Sequence, residues 1–352
     1  MYLTNFGEYF SFISLVLMFV YGCRKDNVVK VKKSLVSVFI IYITFSVFNI
    51  YEYGFLDSSK TLILLVFIIV AYSYPKQSLW VLFVFLLFTS IADILFISGY
   101  IKTTQIQFIF IYAVFFLAKN HGNEQSQKVN IFGISFLIFL EISQGVYFSS
   151  RSAAVFSLLF FIYIYVLPEK VKKKFIYWLV FTPFIYIGGM IFYYKFAESS
   201  GLPISLSNVE RSSMIMWCFD NLLKYFFVGP GVDSFIYGVN DYKFAGIYGE
   251  TPNDPHAVLM RVFITSGTFF SCLFFIFYVW PLRHLSLIDK INPYVYIIYL
   301  KIVLLLSLGT FNSTTRVIVG IGIGVLFNVI YTSKIRILKN ESYRLDNNNS
   351  KL

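Results

Sequence analysis

Charge is scarce in this chain. Asp, Glu, Lys and Arg make up 13% of its 352 residues, against about 25% in ordinary globular domains. In their place stand 58% hydrophobic residues, gathered into apolar runs near the length of a membrane span from end to end. A soluble core cannot hide that many runs, so the pattern predicts an all-α, polytopic integral membrane protein. The alternating ten-residue segments of a β-barrel are missing. Cysteine is nearly absent. Cys23, Cys218 and Cys272 are odd in number, far apart and without metal-ligand spacing, so neither a disulfide framework nor a zinc site is indicated. No Gly-rich phosphate loop, internal repeat or heptad run appears, which argues against a nucleotide site and against ATP as an energy source. The first apolar run follows Glu8 and lacks a basic n-region, so a span is expected there rather than a cleavable signal peptide.

What charge there is carries a sign. The net charge is +11. In a soluble protein that excess would point to nucleic acid; between membrane spans it is read through the positive-inside rule, and no nucleic-acid partner is expected. Eleven spans are predicted, at roughly 5–22, 34–51, 60–74, 79–98, 103–118, 131–148, 152–167, 175–194, 257–282, 294–311 and 317–332. With that count, nineteen of the 29 Lys and Arg fall on one side of the membrane and eight on the other, while Arg261 and Lys301 lie within spans. The basic side should be cytoplasmic, which puts the N-terminus outside and the C-terminus inside. An even number of spans would destroy the segregation. The resulting organisation is 1–194 for spans one to eight, 195–256 for a large external loop, 257–333 for the last three spans and 334–352 for a cytoplasmic tail, polar and expected to be disordered from Asn340.

Loops between spans are short as a rule, so the polar stretch from Lys195 to Pro255 is where the chemistry is expected. Ser207-Asn208-Val209-Glu210 reads as a capping box opening a helix to about Phe227, ended by Gly229. Met214, Trp217, Cys218, Leu222 and Phe226 fall near one face, so this helix is expected to lie on the membrane surface, apolar face down. Arg211 sits in its first turns, where the helix N-terminus also favours anions.

Arg151, Arg211 and Arg316 stand on the less basic side, and Arg261 lies about one turn inside a span. Four guanidinium groups at one face predict an anionic partner, because the guanidinium fork holds oxyanions bidentately; snorkelling to lipid headgroups is the plainer reading. His256 is the one external histidine of the three, placed where the loop re-enters the membrane. It is either a general base or an interfacial cap. His256 and Arg261 are five apart, roughly 140° round a continuous helix, so both face one site only if His256 precedes the regular helix. Asp93, Glu141 and Lys301 lie inside spans, where an ion pair with the lysine is the plain explanation and a proton path the sharper one. The external acids Glu52, Asp57, Asp233, Glu250 and Asp254 form no dense pair, so no bound metal or other cofactor is required.

Three pieces of the second half share an order and a side. They are Ser149-Ser150-Arg151-Ser152-Ala153; Arg211, Trp217, Val228-Gly229-Pro230-Gly231 and Phe235; and Pro255-His256 followed by Gly267 and Phe269-Phe270. This set resembles the Ser-Arg-small, Arg…Trp…Gly-x-Gly…Phe and Pro-His-Asn…Gly motifs of the O-antigen polymerase and O-antigen ligase superfamily of bacterial envelope polysaccharide enzymes. The resemblance covers about residues 149–280.

It implies a GT-C-like membrane fold in the bacterial inner membrane, with the large loop periplasmic. It implies a metal- and nucleotide-independent glycosyltransferase acting on undecaprenyl-pyrophosphate-linked oligosaccharide, with Arg151, Arg211, Arg261 and Arg316 gripping the pyrophosphate. His256, or Asp254 in its stead, would take the hydroxyl proton, and Trp217, Gly229 and Gly231 would shape the loop. A flippase and a chain-length regulator are the partners such an enzyme would have, beside the lipid bilayer itself. The family's usual Asn after His is Ala257 here and the glutamate often found before its glycine is Thr265, which tilts the expectation toward a polymerase of O-antigen or capsule and away from a ligase acting on lipid A core. A lipid-linked oligosaccharide flippase or other transporter is a third reading, although it would want paired halves or more spans. A membrane acyltransferase would want a buried histidine with an acidic partner, which is not seen.

Overall fold

The computed structural model of the protein describes residues 55–96, 108–120, 131–147, 151–200, 206–242, 244, 255, 257–288, 292–308 and 313–349. The first two expected spans, Cys23, Glu52, Glu250, Asp254 and His256 lie outside the described residues. Among those described the chain is all-helical, without a strand.

The order is α1 (Phe55–Ser73), α2 (Pro75–Phe96), α3 (Phe108–Asn120), α4 (Ile131–Tyr147) and α5 (Arg151–Phe161), which continues as a π-turn over Ile162–Val166. Next come α6 (Glu169–Leu179), α7 (Thr182–Ser200), α8 (Leu206–Asp220), α9 (Gly231–Val239) and α10 (Val258–Ser266). The chain closes with α11 (Thr268–Phe274), prolonged by a π-turn Phe275–Val279 and a 3-10 helix Trp280–Leu287, then α12 (Pro293–Leu308) and α13 (Ser313–Asn349).

The core is organised around α12. Every residue from Tyr294 to Leu304 is buried, as expected of a helix apolar on all sides. It packs against α3, α5, α7, α10 and α13. Even its one lysine, Lys301, is only 8% exposed, its ammonium 5.5 Å above the Phe156 ring of α5. The Tyr299 hydroxyl donates to the Ile176 carbonyl of α6 at 2.6 Å, so a buried polar group is satisfied across two helices.

The tightest helix pair is α1 with α13. A Cβ on Gly320 would stand 2.6 Å from the Phe67 Cβ, and one on Gly324 would stand 2.7 Å from the Ala71 Cβ. These glycines are four apart, one turn, so they let two backbones approach along a single stripe. Asn328 continues the seam one turn on, its amide donating to the Tyr72 carbonyl at 3.0 Å. Gly322 faces the other way, against Ile302 and Ile298 of α12. Gly324→Val should therefore force the helices apart at a cost of about 1–3 kcal/mol, read as a lower thermal midpoint in detergent. Gly189→Ala, which meets nothing within 4 Å, should leave that midpoint unchanged or raise it slightly.

Three expected boundaries are corrected. The span placed at 175–194 is two helices, α6 and α7, meeting at a 62° bend. Pro183 has no N–H to continue the α6 ladder, and the Thr182 hydroxyl instead donates to the Leu179 carbonyl at 2.6 Å. The span placed at 257–282 breaks at Gly267, whose φ of 86° and ψ of 172° end α10 and start α11. The tail expected to be disordered from Asn340 is helical to Asn349, one piece with the last span.

By length and apolarity, the stretches Thr268–Leu287 and Thr315–Ser333 are each long enough to cross a membrane, and α6 with α7 adds a third if the bent pair is one span. Shorter apolar helices occupy Ile63–Ser73, Pro75–Phe88, Phe108–Asn120, Val155–Val166 and Pro293–Ser307.

Candidate functional site

Two short helices, α8 and α10, carry Arg211 and Arg261, and one irregular segment ties them together. The tie begins where α8 stops. Asn221 takes the Trp217 carbonyl twice, through its backbone at 3.2 Å and its side-chain amide at 2.9 Å. The carbonyls of Tyr225 and Phe226 then turn outward and accept the amides of Thr268 and Phe269 at 3.1 and 2.8 Å. Those two amides are the first donors of α11, which have no partner within their own helix. The Thr268 hydroxyl donates to the Leu222 carbonyl as well. Because carbonyls of 222–226 are spent on α11, α8 ends at Asp220 and does not reach the expected Phe227.

Glycine makes the approach possible. A Cβ on Gly229 would stand 2.6 Å from the Ser266 amide nitrogen, beside the Ile264 carbonyl, and both are backbone. Gly231 opens α9 with φ of 77°, and Gly267 holds φ of 86° at the α10–α11 break, both in the region that disfavours a side chain.

Trp217 fills the centre. Its ring stands edge-on to Phe235 at 5.4 Å and tilted to Tyr225 at 6.2 Å, and Gly238 of α9 lies directly against its indole edge. Gly238 was missed by sequence reasoning. The available signal was its spacing of three from Phe235, which puts both on one face of α9.

Burial corrects one expectation about α8. Val209, Ser212, Ser213, Met214, Ile215, Met216, Trp217 and Cys218 are all buried, which is most of the way round the helix. It packs on α7, α9 and α10 and so lies inside the protein, not on the membrane surface. Its buried hydroxyls are satisfied within the helix, Ser212 and Ser213 both donating to the Val209 carbonyl at 2.7 and 3.1 Å. Arg211 stays half-exposed amid this burial. Tyr186 of α7, also missed, lies within electrostatic reach of its guanidinium.

In α10 the pattern repeats. From Val258 to Ser266 only Arg261 keeps partial exposure. The helix starts at Val258 with Ala257 extended at its N-cap, so position 256 precedes the regular helix, the condition under which His256 and Arg261 can share a site. Arg211 and Arg261 both lie N-terminal of the tie that binds the C-terminal ends of their helices.

Arg316 is placed differently from its expected loop. It occupies the first turns of α13 and is 4% exposed. Arg151 is the first residue of α5, while its side chain, like those of Asp93 and Glu141, lies outside the described residues. Below α8, the Tyr242 hydroxyl donates to the Asp220 carboxylate at 2.6 Å. Burial first, and that hydrogen bond second, push the Tyr242 phenol above its ordinary range. No group of three His, Cys, Asp or Glu positioned to hold a metal occurs among the described residues.

Among the described residues these features define an all-helical chain with apolar helices long enough to cross a membrane and two partly exposed arginines on helices tied by a glycine-locked loop. Compared with protein-family models, curated proteins and solved structures, the chain matches none.

Proposed function

We propose that this protein is a membrane glycosyltransferase that polymerises undecaprenyl-pyrophosphate-linked oligosaccharide units into a surface polysaccharide, O-antigen or capsule, at the periplasmic face of the bacterial inner membrane. One observation supports this most: Trp217, Gly229, Gly231, Phe235 and Gly267, dispersed over 51 positions, converge on one tie between the helices that bear Arg211 and Arg261. These residues are part of the set on which the resemblance rests; its other polar members, the Arg151 side chain and His256, lie outside the described residues.

In the proposed reaction a hydroxyl of the acceptor sugar attacks the anomeric carbon of the donor, and the glycosyl–oxygen bond to lipid pyrophosphate breaks. Negative charge grows on the departing diphosphate. Arg211 and Arg261 stabilise it, the bidentate fork matching two oxygens at once. His256 takes the acceptor proton as general base. The protein supplies position and charge; cleavage of the glycosyl–pyrophosphate bond supplies the driving force.

A deletion strain tests the reading through its cell-surface glycan. Loss of a polymerase leaves core carrying one repeat unit, loss of a ligase leaves bare core, and an unchanged glycan ends the proposal. His256→Ala should shorten or remove the long chains when it replaces the wild-type gene; wild-type chain lengths would pass the base role to Asp254 or to water.

A further inference from the structure

The bend between α6 and α7 leaves a cationic and aromatic ridge that the proposed reaction does not use. α6 has the sequence Glu-Lys-Val-Lys-Lys-Lys-Phe-Ile-Tyr-Trp-Leu. Ile176 and Leu179 are buried against the core, and Lys172 turns inward, 2.7 Å from Glu169 and 5.5 Å over the Tyr163 ring. The opposite face is open. Lys170, Lys174 and Trp178 stand at i, i+4 and i+8, one above another along that face, all exposed, the indole by 63%. Val171 flanks them and is 41% exposed.

Two neighbours extend the ridge. The 3-10 helix Trp280–Leu287 packs against α6, and its Arg283 guanidinium carbon stands over the Trp280 ring, 3.7 Å from its centre. Phe181, at the bend, bridges Trp178 and Trp280 at 5.6 and 5.3 Å. Beyond the bend, α7 turns Phe184, Ile185 and Phe192 outward. An apolar face thus meets a lysine row at the point where the chain changes direction by 62°.

That arrangement has one fitting occupant. Water alone gives no reason to expose Trp178, Ile185 and Phe192, and hydrocarbon alone cannot solvate Lys170 and Lys174. A bilayer interface satisfies both. The indole and the α7 side chains enter the boundary of headgroup and acyl chain, while the lysines reach the phosphate oxygens. We propose that the Lys170–Lys174–Trp178 ridge, with Arg283 beside it, docks the headgroups of anionic phospholipids and fixes how α6 lies along the membrane. The inference is independent of the glycosyl-transfer reading.

The full chain purified in detergent is offered equimolar phosphatidylglycerol and phosphatidylcholine, and the lipids it retains are counted by mass spectrometry of the intact complex. The wild-type protein should hold phosphatidylglycerol in excess. Lys170→Gln with Lys174→Gln should cut the excess by about 25-fold, each lysine near an anionic surface being worth roughly fivefold. Lys170→Arg with Lys174→Arg should preserve it. An excess unchanged in the glutamine pair, or no excess in the wild type, overturns the proposal. A second measurement does not depend on the lysine variants. Lipid brominated near the glycerol should quench tryptophan fluorescence, and Trp178→Phe should remove part of that quenching; equal quenching with and without Trp178 also overturns it.

Discussion

Arg211→Ala is expected to abolish long-chain polysaccharide while leaving single capped units, a loss of two or more orders of magnitude in polymer yield. The size follows from the place of the residue. It is the one cation of α8, half-exposed on a helix otherwise buried nearly all round. Removing one preorganised group from a developing charge costs about 10²–10³ in rate. Arg211→Lys should fail nearly as badly, since an ammonium cannot present the two parallel donors that a diphosphate takes. The measurement is a gel ladder of surface glycan in a deletion strain carrying each variant at matched membrane levels. A full ladder with Arg211→Ala removes the residue from the mechanism; a full ladder with Arg211→Lys alone reduces it to a point charge.

The second large effect belongs to Gly229. A single methyl there meets the backbone at Ile264 and Ser266, 2.6 Å from the latter's amide nitrogen. Backbone of a buried helix end cannot swing away as a long side chain can. Gly229→Ala should therefore cost about 3 kcal/mol, the upper end of overpacking penalties, and separate the loop from α10. Both the thermal midpoint and the long-chain glycan should fall. The contrast is Gly231, where the constraint is conformation: at φ of 77°, Asn should be tolerated better than Val, since Asn visits the left-handed region more readily. Wild-type stability and glycan with Gly229→Ala would mean that the tie does not hold the arginine helices in place.

Trp217→Ala confounds position with lost packing. Its ring is packed by Phe235, Tyr225 and Gly238, so truncation opens a cavity costing about 3–5 kcal/mol. The glycine variants are the better probes of position because they remove no buried surface.

How much of this was legible beforehand depends on which force decides each feature. The helical, membrane-type class was, because hydropathy is a sum over residues and needs no knowledge of neighbours. Helices occupy the apolar runs from 60 onward, but the runs placed at 175–194 and 257–282 are each broken into two helices. The motif residues Arg211, Trp217, Gly229, Gly231 and Gly267 were also visible as an ordered pattern, though as positions along a line. Three things were decided only in three dimensions. α8 looked like a surface helix, since five apolar residues on one face are compatible with lying on lipid; it is buried because α7, α9 and α10 close over its other faces. Gly267 looked like one residue of a long span; it is a break because Tyr225 and Phe226 supply the carbonyls that let α11 start afresh. Gly320 and Gly324 stood unremarked in an apolar run until α1 was found against them. Local composition sets what a segment is made of and which solvent it prefers. Which backbone group is satisfied by which distant partner, and how closely two helices approach, depends on contacts that exist only once the chain has folded.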